Sequence, residues 1–199
     1  MSKSSPHSVI PPSSSAAAEF TLEERRSLLV VAHQSILSAF HDKPLREDEF
    51  SAHLSQPRGV FTTLYLRGDL RGCVGYIMPV LPLHRAVFET ARAAAFEDSR
   101  FMQVTEPEAK ELEISLSVLS PLFPIRPEDV EIGRHGLVAS MGPFRGLLLP
   151  QVAVECGWDR QTFLEQTCRK AGLPSDSWRN AAKFEAFTAE VFGDVDVAT

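Results

Sequence analysis

The chain has 199 residues, of which 44% are hydrophobic and 23% are charged, and its formal net charge is −6 at pH 7. This composition is typical of a globular protein with a real core, and the length fits one domain or two small subdomains. The acidic balance does not favour general binding of DNA or RNA, which needs clustered Lys and Arg. No apolar run approaches the roughly 20 residues that cross a bilayer, so no membrane partner is expected.

The three cysteines indicate a reducing compartment. Cys73, Cys156 and Cys168 form no CxxC pair, and their odd number does not suit a disulfide framework. We therefore expect a cytoplasmic protein. Residues 1–19 are rich in Ser, Pro and Ala and lack the apolar centre of a secretory signal, which predicts a disordered tail followed by one ordered domain over 20–195.

Three segments predict helices. "TLEE" at Thr21 to Glu24 is a capping box, and apolar residues then recur at helical spacing as far as about His41. An Ala-rich segment over 82–98 predicts a second helix. Asp159 is placed as the N-cap of a third helix, which ends before Gly172.

The remaining patterns predict strands. "GVFTTLYLRGDLRGCVGYI" predicts a hairpin over 59–77, with Gly68 and Asp69 at its turn. "LEISLSVLS" alternates apolar and polar residues, as a half-buried strand does. "HGLVAS" and "FRGLLLP" predict a second hairpin, and "FEAFTAEVF" predicts a single closing strand. Because hairpins require antiparallel pairing, the expected fold is α+β, with helices flanking an antiparallel sheet.

The first hairpin contains the main candidate site. With the predicted turn, Leu64 would face Cys73, and Arg71, Cys73 and Gly75 would project from the same face. A guanidinium next to a cysteine favours the reactive thiolate, and a glycine lets another molecule approach the backbone. The alternative is purely structural: free cysteine usually packs as a small hydrophobe, an arginine pairs with a carboxylate, and glycines mark a bulge. The sequence leaves both interpretations open.

Other chemical signals are weaker. The six histidines show no metal-ligand spacing, so no metal site is predicted. His135 lies in "GRHGL" before a strand, where a histidine can act as a general base, bind an anion or simply cap a turn. The charged residues Glu97, Asp98 and Arg100 are interpreted as a solvated helix end rather than as part of a site.

Five segments together resemble the AMMECR domain family, also called AmmeMemoRadiSam system protein A. They are the first hairpin, "AAFEDSRFMQVT", "LEISLSVLSP", "HGLVAS" and "GLLLPQVAVECGWDRQTFLEQTCRKAGLPSDSW". The resemblance extends over about Phe20 to Phe192. It implies a larger and a smaller subdomain around a cleft lined by the LRGC segment. The family's motif residues correspond to Leu70, Arg71, Gly72, Cys73 and Gly75 of this chain.

The resemblance also suggests two functions. Family members occur beside, or fused to, a Memo-type metalloprotein and a radical-SAM enzyme, which implies a shared pathway but names no reaction and no cofactor. In the first hypothesis the protein is an accessory enzyme. Cys73 is the nucleophile or covalent carrier, Arg71 activates it or binds a small anionic ligand, and His135 or a carboxylate moves protons. In the second, Leu70, Gly72 and Gly75 belong to a non-catalytic groove that binds a protein or small ligand.

Overall fold

The computed structural model of the protein describes residues 18–41 and 50–197. Most of the predicted tail over 1–19 and most of the loop after the first helix lie outside these residues. The described elements, in chain order, are α1 (Leu22–Ser38), β1 (Val60–Leu66), β2 (Asp69–Tyr76), α2 (Leu83–Phe96), α3 (Glu106–Ala109), β3 (Leu112–Leu119), β4 (Phe123–Pro124), β5 (Gly136–Met141), β6 (Phe144–Leu148), α4 (Pro150–Glu155), α5 (Arg160–Lys170), β7 (Lys183–Phe187), β8 (Ala189–Gly193) and α6 (Asp194–Val197). None of these helices is long and apolar enough to cross a membrane.

The first sheet has the strand order β2-β1-β3-β8, and every neighbouring pair is antiparallel. Helices α1 and α2 cover one face of it, and their side chains share a core with β1 and β3. The predicted capping box is confirmed: the Glu24 amide donates to the Thr21 hydroxyl, and the Glu24 carboxylate accepts from the Thr21 amide. The alternation of β3 is confirmed as well, because Ile114, Leu116 and Val118 are buried in this core.

The predicted register of the first hairpin is wrong by one residue. The turn is formed by Arg67 and Gly68, which both have positive φ angles (54° and 86°), as a type I′ turn requires. Arg71 then has no partner residue on β1 and forms a β-bulge, so that Leu64 faces Gly72 and Thr63 faces Cys73. Thr63 lies between two core-facing residues of β1 and so projects from the opposite face of the sheet. The shift therefore places Cys73 on the sheet face that the helices do not cover.

The second sheet has the order β4-β7-β5-β6 and is also antiparallel. Helix α5 packs against it through a second core, which includes the fully buried Cys168. Asp159 caps this helix by accepting a hydrogen bond from the Thr162 amide at 2.8 Å, as the sequence predicts.

The predicted closing strand is in fact two strands that belong to different sheets. The chain passes from β7 in the second sheet to β8 in the first at Thr188, whose amide and carbonyl both bond to Ser120. A small third cluster built on Leu119, Val138 and Phe187 packs where the two sheets meet. The architecture is thus α+β with antiparallel sheets, as predicted, and its two sheets form a larger and a smaller packing unit.

Candidate functional site

Cys73 is half-buried on the uncovered face of the first sheet, near the sheet's edge. Strand β2 is an edge strand, and Cys73 lies directly opposite Thr63 of β1. The Thr63 hydroxyl donates a hydrogen bond to the Cys73 sulfur at 3.4 Å. A donor directed at the sulfur stabilises negative charge there, which is the form in which cysteine acts as a nucleophile.

The main chain of Cys73 is held by two charged side chains from the turn after α2. The amide of Cys73 donates to an Asp98 carboxylate oxygen at 2.9 Å, and Arg100 donates to the carbonyl of Cys73 at 3.4 Å. Asp98 and Arg100 also bond to each other at 2.7 Å. This pair occupies the positions at which another strand would bond to the edge of β2, so it fixes the backbone of Cys73 in place.

The charges of this group reinforce one another. The hydrogen bond from Arg100, followed by that from the Cys73 amide, holds the pKa of Asp98 far below its usual range, although the Asp98 side chain is only 6% exposed. The same bond raises the pKa of Arg100, and the nearby Cys73 raises it further. Burial raises the pKa of the Tyr65 hydroxyl, and the nearby Cys73 raises it further.

Arg71 has a different set of partners. Its guanidinium donates to the carbonyls of Met102 and Gln103 at 2.6 and 3.1 Å, and to both carboxylate oxygens of Glu108 at 3.3 and 3.2 Å. All three of its side-chain nitrogens are engaged, and its side chain is 14% exposed. In this arrangement Arg71 ties the bulge of β2 to the segment that leads into α3.

The two glycines next to Cys73 make room for the protein's own packing. A Cβ atom on Gly72 would lie 2.1 Å from the carbonyl oxygen of Ala94 in α2, and one on Gly75 would lie 2.3 Å from the ring of Phe61. Neither position opens a path for a ligand in the way that the sequence suggests. Leu70 differs, because its side chain is 42% exposed on β2.

His135 lies beside the second sheet, immediately before β5. Its Nδ1 accepts a hydrogen bond from the Glu131 amide at 3.0 Å, and its ring packs edge-on against Phe123. Burial lowers the pKa of this imidazole. Neither contact of the ring involves Cys73, so the structure does not bring these two predicted site residues together by a direct bond. His135 instead caps a turn beside an open depression of about 590 Å³.

The sequence missed Thr63 as a site residue and discounted Asp98 and Arg100. Thr63 lies opposite Cys73 only in the observed register, which depends on a non-glycine residue, Arg67, adopting a positive φ. Asp98 and Arg100 were visible as a charged cluster, but only the fold shows that the Asp98 carboxylate is buried against the Cys73 amide. Within residues 18–41 and 50–197, no group of three or more His, Cys, Asp or Glu side chains is arranged to hold a metal ion.

Comparison with known proteins assigns the chain to a family. The AMMECR1 family model matches residues 29–192. A protein of Thermococcus gammatolerans is 46% identical over 151 residues, which cover 70% of this chain and 74% of that protein. A protein of Methanothermobacter thermautotrophicus is 40% identical over 185 residues, which cover 88% of this chain and 96% of that protein.

A solved structure shares the fold. The crystal structure of an uncharacterized protein from Pyrococcus horikoshii has a TM-score of 0.67 and 38% sequence identity, and the match covers 83% of this chain and 89% of that one. The sequence match over most of the chain and the shared fold agree, and the protein belongs to the AMMECR1 family.

Proposed function

We propose that the protein is an accessory enzyme that works through the thiol of Cys73, in a pathway shared with Memo-type and radical-SAM proteins. The observation that carries the proposal is the hydrogen bond from the Thr63 hydroxyl to the Cys73 sulfur. A cysteine that only fills space needs no such donor, whereas a nucleophilic sulfur benefits from one. A cytoplasmic location would keep this thiol reduced.

Arg100 is the residue that we expect to bind an anionic group of the substrate. Its side chain is 58% exposed, and its Nε and Nη2 atoms are engaged with Asp98 and Cys73. The Asp98–Arg100 pair that holds the backbone of Cys73 is called the clamp below. Nη1 of Arg100 forms no hydrogen bond within the described part of the chain, so two N–H donors point away from the clamp. An exposed guanidinium of this kind suits a carboxylate or a phosphate. Arg71 is less suited, since its three nitrogens are already engaged with Glu108 and two carbonyls.

The chemistry assigned to Cys73 is nucleophilic catalysis. The sulfur forms a C–S bond to an electrophilic carbon of the substrate, the bond from that carbon to the leaving group breaks, and the thiol proton passes to the leaving group. The main-chain bonds to Asp98 and Arg100 hold the sulfur in position during this step, because they fix the backbone of Cys73 on both sides.

The test is a search for a covalent adduct. The extract is prepared from cells that also contain Memo-type and radical-SAM proteins. The protein is incubated with the small-molecule fraction of this extract, and the intact mass of the protein is then measured. We expect a discrete mass increase that maps to Cys73, that disappears in Cys73→Ser and that is weakened in Arg100→Ala. An adduct on the exposed Cys156 instead, or an adduct that persists in Cys73→Ser, would refute the proposal.

A second candidate function is a non-catalytic adaptor, and one observation favours it. Leu70 is 42% exposed and Met102 is 84% exposed. Leu70 precedes Arg71 in the chain, and the carbonyl of Met102 accepts a hydrogen bond from Arg71. Neighbouring exposed apolar side chains can form part of a contiguous protein-binding patch. If this candidate is correct, Met102→Asp abolishes the capture of a Memo-type or radical-SAM protein at micromolar concentration, whereas Cys73→Ser does not. Equal capture by Met102→Asp and wild type would contradict it.

A further inference from the structure

A second open depression, of about 820 Å³, lies in the smaller packing unit, away from the first sheet that carries Cys73. It is formed where the edge strand β4 meets the 3₁₀ turn Ser175–Arg179, which leads into β7. Its apolar wall includes Ile125, Ala182 and Phe184. Ligand sites in proteins are of this size, about 300–1,000 Å³, and combine apolar walls with a few polar groups.

Trp178, a residue of the lining, carries an unusual buried polar group. Its ring lines the depression, and its indole nitrogen is buried without a hydrogen-bond partner in the part of the chain that the structure describes. Native proteins leave few buried N–H groups unpaired, and each one calls for an explanation. The indole nitrogen is a donor and never an acceptor, so its missing partner is an acceptor such as a carboxylate oxygen.

The charges around Trp178 favour an anion. Arg179 and Lys183 line the depression, both are exposed, and neither takes part in an ion pair among the described residues. The Arg179 guanidinium lies 5.2 Å from the centre of the Trp178 ring. The two acidic residues of the lining already have cationic partners: Glu128 lies 3.5 Å from Arg126, and Glu185 lies 3.5 Å from Arg145.

From these observations we infer that the depression beside Trp178 binds a small organic anion, namely a carboxylate attached to an apolar body. The carboxylate lies between Arg179 and Lys183 and accepts the indole N–H, and the body packs on the apolar wall. Because the nitrogen is covered in the unbound protein, the indole ring turns slightly when the ligand binds. This site is independent of the chemistry proposed for Cys73.

The experiment follows the indole N–H signals of the full-length protein by ¹H–¹⁵N NMR. The chain has two tryptophans, and Trp158→Phe identifies the signal of Trp178. The probes are benzoate, the neutral and similarly shaped benzamide, and inorganic phosphate. We expect benzoate to shift the Trp178 signal downfield in a saturable manner with a Kd of about 1 mM, whereas the Trp158 signal stays in place. Benzamide and phosphate are expected to bind at least about tenfold more weakly.

Variants then test the two cations. Arg179→Ala and Lys183→Ala are each expected to weaken benzoate binding about fivefold to tenfold, since each removes a charged donor. Arg169→Ala removes an exposed cation of α5 that does not line the depression, and it should leave binding unchanged. A Trp178 signal that does not saturate, equal binding of benzamide or phosphate, or equal losses in all three variants would overturn the inference.

Discussion

Arg71→Ala is expected to destabilise the protein by about 3 kcal/mol, because Arg71 ties β2 to the segment before α3. The largest contribution comes from Glu108, whose pKa is lowered from 4.5 to about 2, first of all by the hydrogen bond from Arg71. At about 1.4 kcal/mol per pH unit this shift corresponds to roughly 3 kcal/mol. Bonds from Thr105 cause part of it, and the Glu108 side chain is 29% exposed, so we assign about 2 kcal/mol to the ion pair. The lost bonds to two carbonyls add about 1 kcal/mol.

The contribution of Glu108 depends on pH in a defined direction. Its pKa is lower in the folded protein than in the unfolded chain, so its stabilising effect is fully present above the ordinary value of 4.5. The effect is lost as the pH falls from 4.5 to about 2, because the unfolded chain takes up the proton first. The difference in stability between wild type and Glu108→Gln should therefore shrink over this range.

Urea unfolding of the wild type, Arg71→Ala, Glu108→Gln and the double variant measures the coupling between the two side chains. The matched control is Arg67→Ala in the same hairpin. Arg67 forms an ion pair with Glu111, and the two side chains are 78% and 50% exposed, respectively. This exposed pair should contribute less than about 0.5 kcal/mol to stability. The structural role assigned to Arg71 is wrong if Arg71→Ala lowers the free energy of unfolding by no more than Arg67→Ala does. It is also wrong if the coupling energy between Arg71 and Glu108 is the same at neutral and acidic pH.

Three further predictions concern single residues. Gly72→Ala should destabilise the protein by about 2 kcal/mol in urea unfolding, because its Cβ would meet the Ala94 carbonyl oxygen at 2.1 Å; a change within about 0.5 kcal/mol would contradict this packing. Burial lowers the pKa of His135 below 6.5, so the NMR titration of this ring should have a midpoint below that value. The free energy of unfolding should fall as the pH drops through 6.5. A midpoint at or above 6.5 would show that the ring is not buried. Asp98→Asn should speed hydrogen exchange of the Cys73 amide, because a neutral amide oxygen is a weaker acceptor than the carboxylate; an unchanged exchange rate would show that the clamp is not formed in solution.

The sequence predicted the parts of the fold that local patterns determine. The capping box of α1, the alternation of β3 and the aspartate cap of α5 were all visible, because each depends on residues within a few positions of one another. The split of the last strand was not visible. Apolar and polar residues alternate on both sides of Thr188, and only the adjacent apolar residues Ala186 and Phe187 interrupt this pattern near the point where the chain changes sheets.

The candidate site was only partly predictable, for two physical reasons. The register of the hairpin depends on Arg67 adopting a φ of 54°, which non-glycine residues rarely do, so a turn at Gly68 and Asp69 was the natural expectation. One residue of register decides whether Cys73 faces Leu64 in the core or Thr63 on the opposite face. The clamp on Cys73 depends on a contact across 25 residues of sequence, between Asp98 and an edge-strand amide, and no local pattern signals such a contact.

The measurement that most directly tests the role of Cys73 is the rate of iodoacetamide labelling of the three cysteines in the folded protein, followed by peptide mass spectrometry. Exposed Cys156 and buried Cys168 serve as internal references in the same sample. If Cys73 is an activated nucleophile, it should label faster than Cys156 at neutral pH although it is less exposed, and Thr63→Ala should slow that labelling without affecting Cys156. If Cys73 labels only after denaturant is added, as Cys168 should, its thiol is a packing residue and the proposed enzymatic role is wrong.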